Sequence, residues 1–114
     1  SGAEIIGQLP LAQEREATRT MKVILTAYSS TPGQTDSTPF ITANGKQVYD
    51  GLIAANWLPF GTRVKFPELL GDKIFTVNDR MHQRFGRGRV DLWLDAPLDK
   101  VKAFGVKKVI MEIY

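Results

Sequence analysis

Alternation of apolar and polar positions predicts short β-strands along most of this 114-residue chain. The segment from Met21 to Tyr28 is rich in β-branched and aromatic residues, which predicts the first strand. In the next clear example, Val64 and Phe66 alternate with charged residues, so one face of that strand is expected in the core. Glycine punctuates these short pieces, and their spacing favours a compact β-barrel over βαβ units. The other predicted strand segments are 40–43, 47–49, 52–55, 73–78 and 106–114.

One helix is predicted before the last strand. Asp95 is expected to be its N-cap, Pro97 lies in its first turn and Gly105 ends it. The side chains expected on its core-facing side are Leu98, Val101 and Phe104.

The connections divide the chain into an arm and a barrel. Residues 1–20 are polar and weakly helical, which predicts an N-terminal arm or linker before a single domain over 21–114. The loop from Ser29 to Pro39 is rich in Pro, Ser and Thr, contains Asp36, and has the composition of a loop that carries function. The segment 69–72 is expected to form a hairpin connection.

Composition restricts the class of protein. No apolar stretch approaches the roughly 20 residues that a membrane helix needs, so no integral membrane segment is expected. We also expect the protein to be a monomer. There is no cysteine, hence no disulfide framework and no thiolate chemistry. Ser1-Gly2 stands in place of an initiator Met, which is typical of tag removal and predicts that a native leader or anchor was trimmed.

The basic charge is local. The net charge is +3, and much of the excess lies between residues 80 and 89 in Arg80, Arg84, Arg87 and Arg89. Such a cluster attracts phosphate or carboxylate polymers, whereas a solvated loop is the alternative interpretation. Nucleic acid is not expected as the partner, because the segment lacks the aromatic interleaving of nucleic-acid surfaces.

The residue inventory leaves carboxylates as the candidates for chemistry. His82 is the one histidine and is expected at the surface, so neither a nucleophilic triad nor a metal site is predicted. Gly86-Arg-Gly88 lacks the further glycine of a nucleotide fingerprint, and no cofactor is expected.

Asp91 is the most unusual carboxylate because it lies among apolar residues of the 89–93 segment. Burial of a carboxylate raises its pKa, which is what a general acid needs. The alternatives are an outward-facing residue paired with Arg89 or a helix cap. The alternative for Asp79 is a turn-capping role, and the alternative for Asp36 is a turn within the loop.

Six motifs follow one another along the chain: Thr26-Ala-Tyr28, Asp36-Ser-Thr-Pro39, Ile41-Thr-Ala-Asn-Gly45, Ile53-Ala-Ala55 with Leu58-Pro-Phe-Gly-Thr62, Val77-Asn-Asp79 and Val90-Asp-Leu92. In this order they resemble the three-aspartate (3D) domain, whose barrel is similar to those of membrane-bound lytic transglycosylase A and the stationary-phase survival muralytic proteins. The segment Leu58 to Val64, with Val77-Asn-Asp-Arg80 and Val90-Asp-Leu92, also resembles the rare lipoprotein A family, a relative of expansins. The similarity extends from Met21 to Tyr114.

The resemblance implies an all-β, six-stranded double-psi β-barrel with one or two short helices, whose groove binds β-1,4-linked glycan. It implies that Asp91 is the catalytic acid/base and that Asp79 and Asp36 are the other two namesake aspartates. Expected substrate-binding residues are Thr26, Tyr28, Thr42, Arg80 and Trp93, although Tyr28 and the two tryptophans are alternatively core residues.

Lytic cleavage of peptidoglycan in the cell envelope, periplasmic or secreted, is the function that the resemblance implies. The alternative is a non-catalytic, expansin-like module that binds and loosens wall glycan. The chain departs from the family where Arg80-Met-His replaces the usual Thr-Gly-Gly, and in a shorter turn from Ala55 to Pro59.

Overall fold

The computed structural model describes residues 17–30, 42–43, 45 and 47–114. Within them, six strands and two short helices follow one another along the chain. No helix in this part of the chain is long and apolar enough to cross a membrane. The elements are β1 (Arg19–Tyr28), β2 (Leu52–Ala54), β3 (Arg63–Lys65), α1 (Pro67–Leu70), β4 (Phe75–Asp79), β5 (Arg89–Trp93), α2 (Leu98–Phe104) and β6 (Lys107–Ile113).

The six strands close into a barrel in the order β1-β5-β2-β4-β3-β6. Two pairs, β1 with β5 and β2 with β4, are parallel, and the other pairs are antiparallel. Parallel partners need crossover connections, so the chain passes across the barrel between them. The predicted class, a mainly β, six-stranded barrel with two short helices, is confirmed, and the two parallel pairs agree with the double-psi arrangement.

Alternate side chains of every long strand fill the barrel. On β6, Val109, Met111 and Ile113 are buried while their neighbours are half-buried or exposed, as the alternation predicts. Phe66 and Phe75 meet edge to face with ring centroids 5.4 Å apart. Packing on one face of each strand leaves the opposite face of β1 and β5 free to carry polar groups.

The predicted N-cap of α2 is wrong. Pro97, with extended backbone (φ −68°, ψ 162°), precedes the helix, and no side chain caps it. An Asp95 cap would require a helical conformation at Ala96, which the ring of the following proline disfavours. Gly105 does end the helix, with φ of 74°.

Two other local expectations differ from the structure. The 69–72 connection is not a simple hairpin turn, because the one-turn helix α1 precedes Gly71, whose φ is 65°. Pro67 at the start of α1 favours this turn, since its φ is already helical. The 47–49 segment forms only an isolated bridge at Gln47 and then turns into β2, and 40–41 lies outside the described residues.

Replacing Phe66 by Ala tests the packing of the barrel. Phe66 is fully buried, so Phe66→Ala is expected to lower the free energy of unfolding by about 3–5 kcal/mol, and Phe66→Leu by clearly less. Chemical denaturation measures both. Leu69→Ala on the exposed side of α1 is the control, and an equal loss in Leu69→Ala and Phe66→Ala would contradict the packing described here.

Candidate functional site

Polar side chains form a row on the outer face of the parallel pair β1 and β5. Thr26 is the register partner of Asp91, and Tyr28 is the partner of Trp93. The intervening residues of β5 are buried in the core, so the side chains of this row point away from it. The structure therefore brings together four of the residues predicted from sequence.

Asp91 is half-buried and hydrogen-bonded within this row. The Thr26 hydroxyl donates to its Oδ1 over 2.9 Å. Burial raises the pKa of Asp91 to about 6, although the Thr26 hydrogen bond and the Arg89 charge lower it and Asp79 adds a further increase. A carboxyl group with this pKa exchanges its proton near neutral pH, as a general acid does.

Asp79, at the end of β4, accepts three hydrogen bonds from residues that the structure describes. Tyr28 donates its hydroxyl to Oδ2 over 2.8 Å. The backbone N–H groups of Ala43 and Arg80 donate to Oδ1 over 2.7 and 2.9 Å. Because a carboxylate has about four acceptor positions, most of its hydrogen-bonding capacity is used inside the protein.

Ala54 of β2 lies between the two aspartates. It is the register partner of Asp91 on one side and of Asp79 on the other, with a shift of register after Ile53. Register partners share a face of the sheet, so both carboxylates lie on the same side of the barrel wall. The small, buried Ala54 side chain brings no bulk between them.

Tyr28 is held as a hydrogen-bond donor. Burial, followed by the negative charge and the hydrogen bond of Asp79, raises its pKa far above the usual value for tyrosine. The hydroxyl therefore remains protonated and fixes the orientation of Asp79. This contact links the β1 and β4 sides of the site.

Arg80 reaches across to the turn before β3. Its Nη1 donates to the carbonyl oxygens of Ala55 and Leu58 over 2.6 and 2.7 Å. The guanidinium also lies over the Phe60 ring, 3.9 Å from the centroid. The structure thus places the Arg80 side chain on the 55–60 turn, while its backbone N–H serves Asp79; its role in substrate binding stays a prediction.

The remaining predicted site residues lie as follows. Trp93 is half-buried, and its indole Nε1 donates to Ser30 Oγ over 3.0 Å. Thr42 is buried and directly precedes Ala43, whose N–H binds Asp79. Asp36 lies outside the described residues. Among the described residues, no three His, Cys, Asp or Glu side chains are placed to hold a metal ion.

Sequence reasoning missed three contributors to the site. Ala43 acts through its backbone, which no side-chain pattern shows. Asn78 donates to the Tyr49 hydroxyl over 2.7 Å, and the Tyr49 charge also contributes to the raised pKa of Tyr28. Asn78 directly precedes Asp79, and that adjacency is the one sequence signal for this pair.

A scan against protein-family models and a search of curated proteins both find no match to this chain. The resemblance to the 3D domain therefore stays a prediction that depends on the motifs. The geometry of Asp91, Asp79, Thr26 and Tyr28 is an independent argument for a site at this position.

Asp91→Asn is expected to stabilise the protein in a pH-dependent way. The folded-state pKa of Asp91, about 6, exceeds the ordinary value of 3.8, so the folded state binds more protons between these values. Wild-type stability should therefore fall as pH rises from about 4 through 6. Asn avoids this loss, and its advantage should grow to roughly 1–3 kcal/mol above pH 6.

Chemical denaturation between pH 4 and 8 measures this difference. Asp95→Asn removes an exposed carboxylate and controls for the loss of one charge. A difference between Asp91→Asn and wild type that does not change with pH would contradict the raised pKa.

Proposed function

We propose that the protein is a lytic transglycosylase that cleaves the β-1,4 bond between N-acetylmuramic acid and N-acetylglucosamine in peptidoglycan. The observation that carries the proposal is the half-buried Asp91 carboxyl, whose pKa is about 6. It lies on the outer face of two strands beside polar and aromatic side chains. Such a row suits a sugar polymer, which presents both hydroxyl groups and apolar ring faces.

In the proposed reaction a single carboxyl group acts twice. Protonated Asp91 donates to the glycosidic oxygen as the bond from C1 of the muramic acid breaks. The resulting carboxylate takes the proton from the C6 hydroxyl of the same sugar, and O6 bonds to C1. The products are a free 4-hydroxyl on the leaving sugar and a 1,6-anhydro end, and Asp91 is protonated again.

The hydrogen bonds of Asp79 support this reaction over hydrolysis. Hydrolytic glycosidases commonly use a second carboxylate as base or nucleophile. Asp79 accepts hydrogen bonds from Tyr28, Ala43 and Arg80, so it is poorly placed to activate water. Its negative charge instead raises the pKa of Asp91 and stabilises the positive charge that develops at C1.

The order of the sequence motifs is a second, independent argument for Asp91 as the acid. The same aspartate that the resemblance assigns as acid/base is the one whose pKa is raised toward neutral. Location in the cell envelope belongs to the same proposal, because peptidoglycan lies there.

A non-catalytic, expansin-like module is the second candidate. Arg80 favours it, because the related motif has small residues in place of Arg80-Met-His. The Arg80 guanidinium instead donates to the carbonyl groups of Ala55 and Leu58. A groove of changed shape, with Asp79 already hydrogen-bonded, is equally suited to holding glycan without cutting it.

Digestion of purified, peptide-free murein glycan tests the proposal. Mass spectrometry is expected to find 1,6-anhydro ends after digestion with wild type. Asp91→Asn should form these ends at a rate lower by about 100-fold or more, since general acid catalysis contributes at least that factor. The rate should fall as pH rises above about 6, because the protonated form of Asp91 is required.

The outcomes separate the two candidates. If wild-type protein sediments with the glycan but yields no anhydro ends, the transglycosylase proposal is wrong and the binding module is supported. Anhydro ends produced equally by Asp91→Asn would remove Asp91 from the acid role.

A further inference from the structure

Arginine side chains stacked on two aromatic rings form a second feature beside Asp91. The guanidinium groups of Arg84 and Arg89 lie over the Phe85 ring, 4.7 and 4.5 Å from its centroid. Arg87 lies over the Trp57 ring at 5.2 Å. We call these five residues the Arg–aromatic cluster.

Hydrogen bonds between the Asn56 and Trp57 side chains and backbone groups hold this cluster in shape. Asn56 donates its side-chain amide to the carbonyl oxygens of His82 and Phe85, both over 2.8 Å, and accepts from the N–H of Met81 over 2.9 Å. Trp57 Nε1 donates to the Arg89 carbonyl over 2.9 Å. The loop before β5 is therefore tied to the turn after β2, and the cations are pre-organised.

No guanidinium group of the cluster forms an ion pair among the described residues. The ion pair found there joins Lys73 to Asp50, away from the cluster. Within the described part of the chain, the buried Nε of Arg89 also has no hydrogen-bond acceptor. Arg84 and Arg87 are exposed, so an external anion can reach them.

The cluster continues the outer row of β5. Arg89 lies on the same face as Asp91, two residues earlier, which is about 7 Å along a strand. The Arg89 charge already acts on Asp91 and lowers its pKa. A polymer bound across Asp91 would pass directly over or beside these cations.

We propose that the Arg–aromatic cluster is a subsite for carboxylate groups carried by the glycan. This inference rests on the proposed function, and it specifies an acidic β-1,4-glycan over a neutral one such as chitin. Arginine suits the role because its planar group pairs with a carboxylate through two N–H donors. The carboxylate comes from the lactyl ether of the muramic acid or from its stem peptide.

Single-stranded nucleic acid fits the cluster less well. Bases bind such surfaces by stacking on open aromatic rings. Here both rings carry guanidinium groups, and Trp57 also packs against the core.

Sedimentation with insoluble polymers tests the subsite in an Asp91→Asn background, which keeps the polymer intact. Arg84→Gln combined with Arg87→Gln is expected to weaken binding to murein by about tenfold, since charge-assisted hydrogen bonds are lost. Binding to chitin should not change. Lys100→Gln with Lys102→Gln removes the same charge from exposed positions of α2 and is the matched control.

Two further polymers identify the source of the carboxylate. Peptide-free glycan strands retain the lactyl groups, so loss of binding to them assigns the lactyl carboxylate. Loss confined to intact murein assigns the stem peptide. Murein with amidated carboxyl groups should bind wild type and the double variant equally.

Three results would overturn the subsite: equal binding of murein by the double variant and the control, unchanged binding of amidated murein by wild type, or stronger competition by an oligonucleotide than by murein fragments. Arg84→Lys with Arg87→Lys should recover part of the affinity, and thermal melts check folding. Formation of anhydro ends is measured in a separate experiment. Failure of the subsite can therefore be distinguished from failure of the proposed cleavage.

Discussion

The parallel pairing of β1 with β5 is the constraint on which the site depends. It sets Thr26 against Asp91 and Tyr28 against Trp93, on the face opposite the packed core. Closure of the barrel then places β2 and β4 beside this pair, so that Asp79 reaches the Tyr28 hydroxyl. A shift of one residue in the β1–β5 register would turn the side chains of one strand toward the core and separate Thr26 from Asp91.

The two aspartates differ because their surroundings differ. Among the described residues, Asp79 accepts hydrogen bonds from one hydroxyl and two backbone N–H groups. Among the described side chains Thr26 donates to Asp91, and burial outweighs that bond and the Arg89 charge. One carboxyl group is therefore suited to carrying a proton and its neighbour to remaining an acceptor. The proposed reaction uses this difference, since it needs one acid and a nearby negative charge.

The sequence alone predicted the features that depend on neighbouring residues in the chain. The alternation in β3 and β6 predicted their buried faces, and the apolar neighbours of Asp91 predicted its raised pKa. The cap of α2 was missed because Pro97 outweighed the capping preference of Asp95. Contacts across the barrel, such as Tyr28 with Asp79 or Arg80 with the 55–58 carbonyls, depend on closure and leave no local signal. The stacking of Arg87 on Trp57 was missed for the same reason, because the two residues are distant in sequence. Phe85 lies inside the arginine segment, and its stacking with Arg84 and Arg89 was not predicted either.

Titration of Asp91 by NMR, through the chemical shift of its side-chain carboxyl carbon, shows whether this group can donate a proton near neutral pH. We expect a midpoint near pH 6 in wild type. In Thr26→Val the midpoint should be higher, because the hydroxyl that favours the charged form is lost. A wild-type midpoint near 4, the usual range for an aspartate in water, would contradict both the buried position of Asp91 and its role as a proton donor.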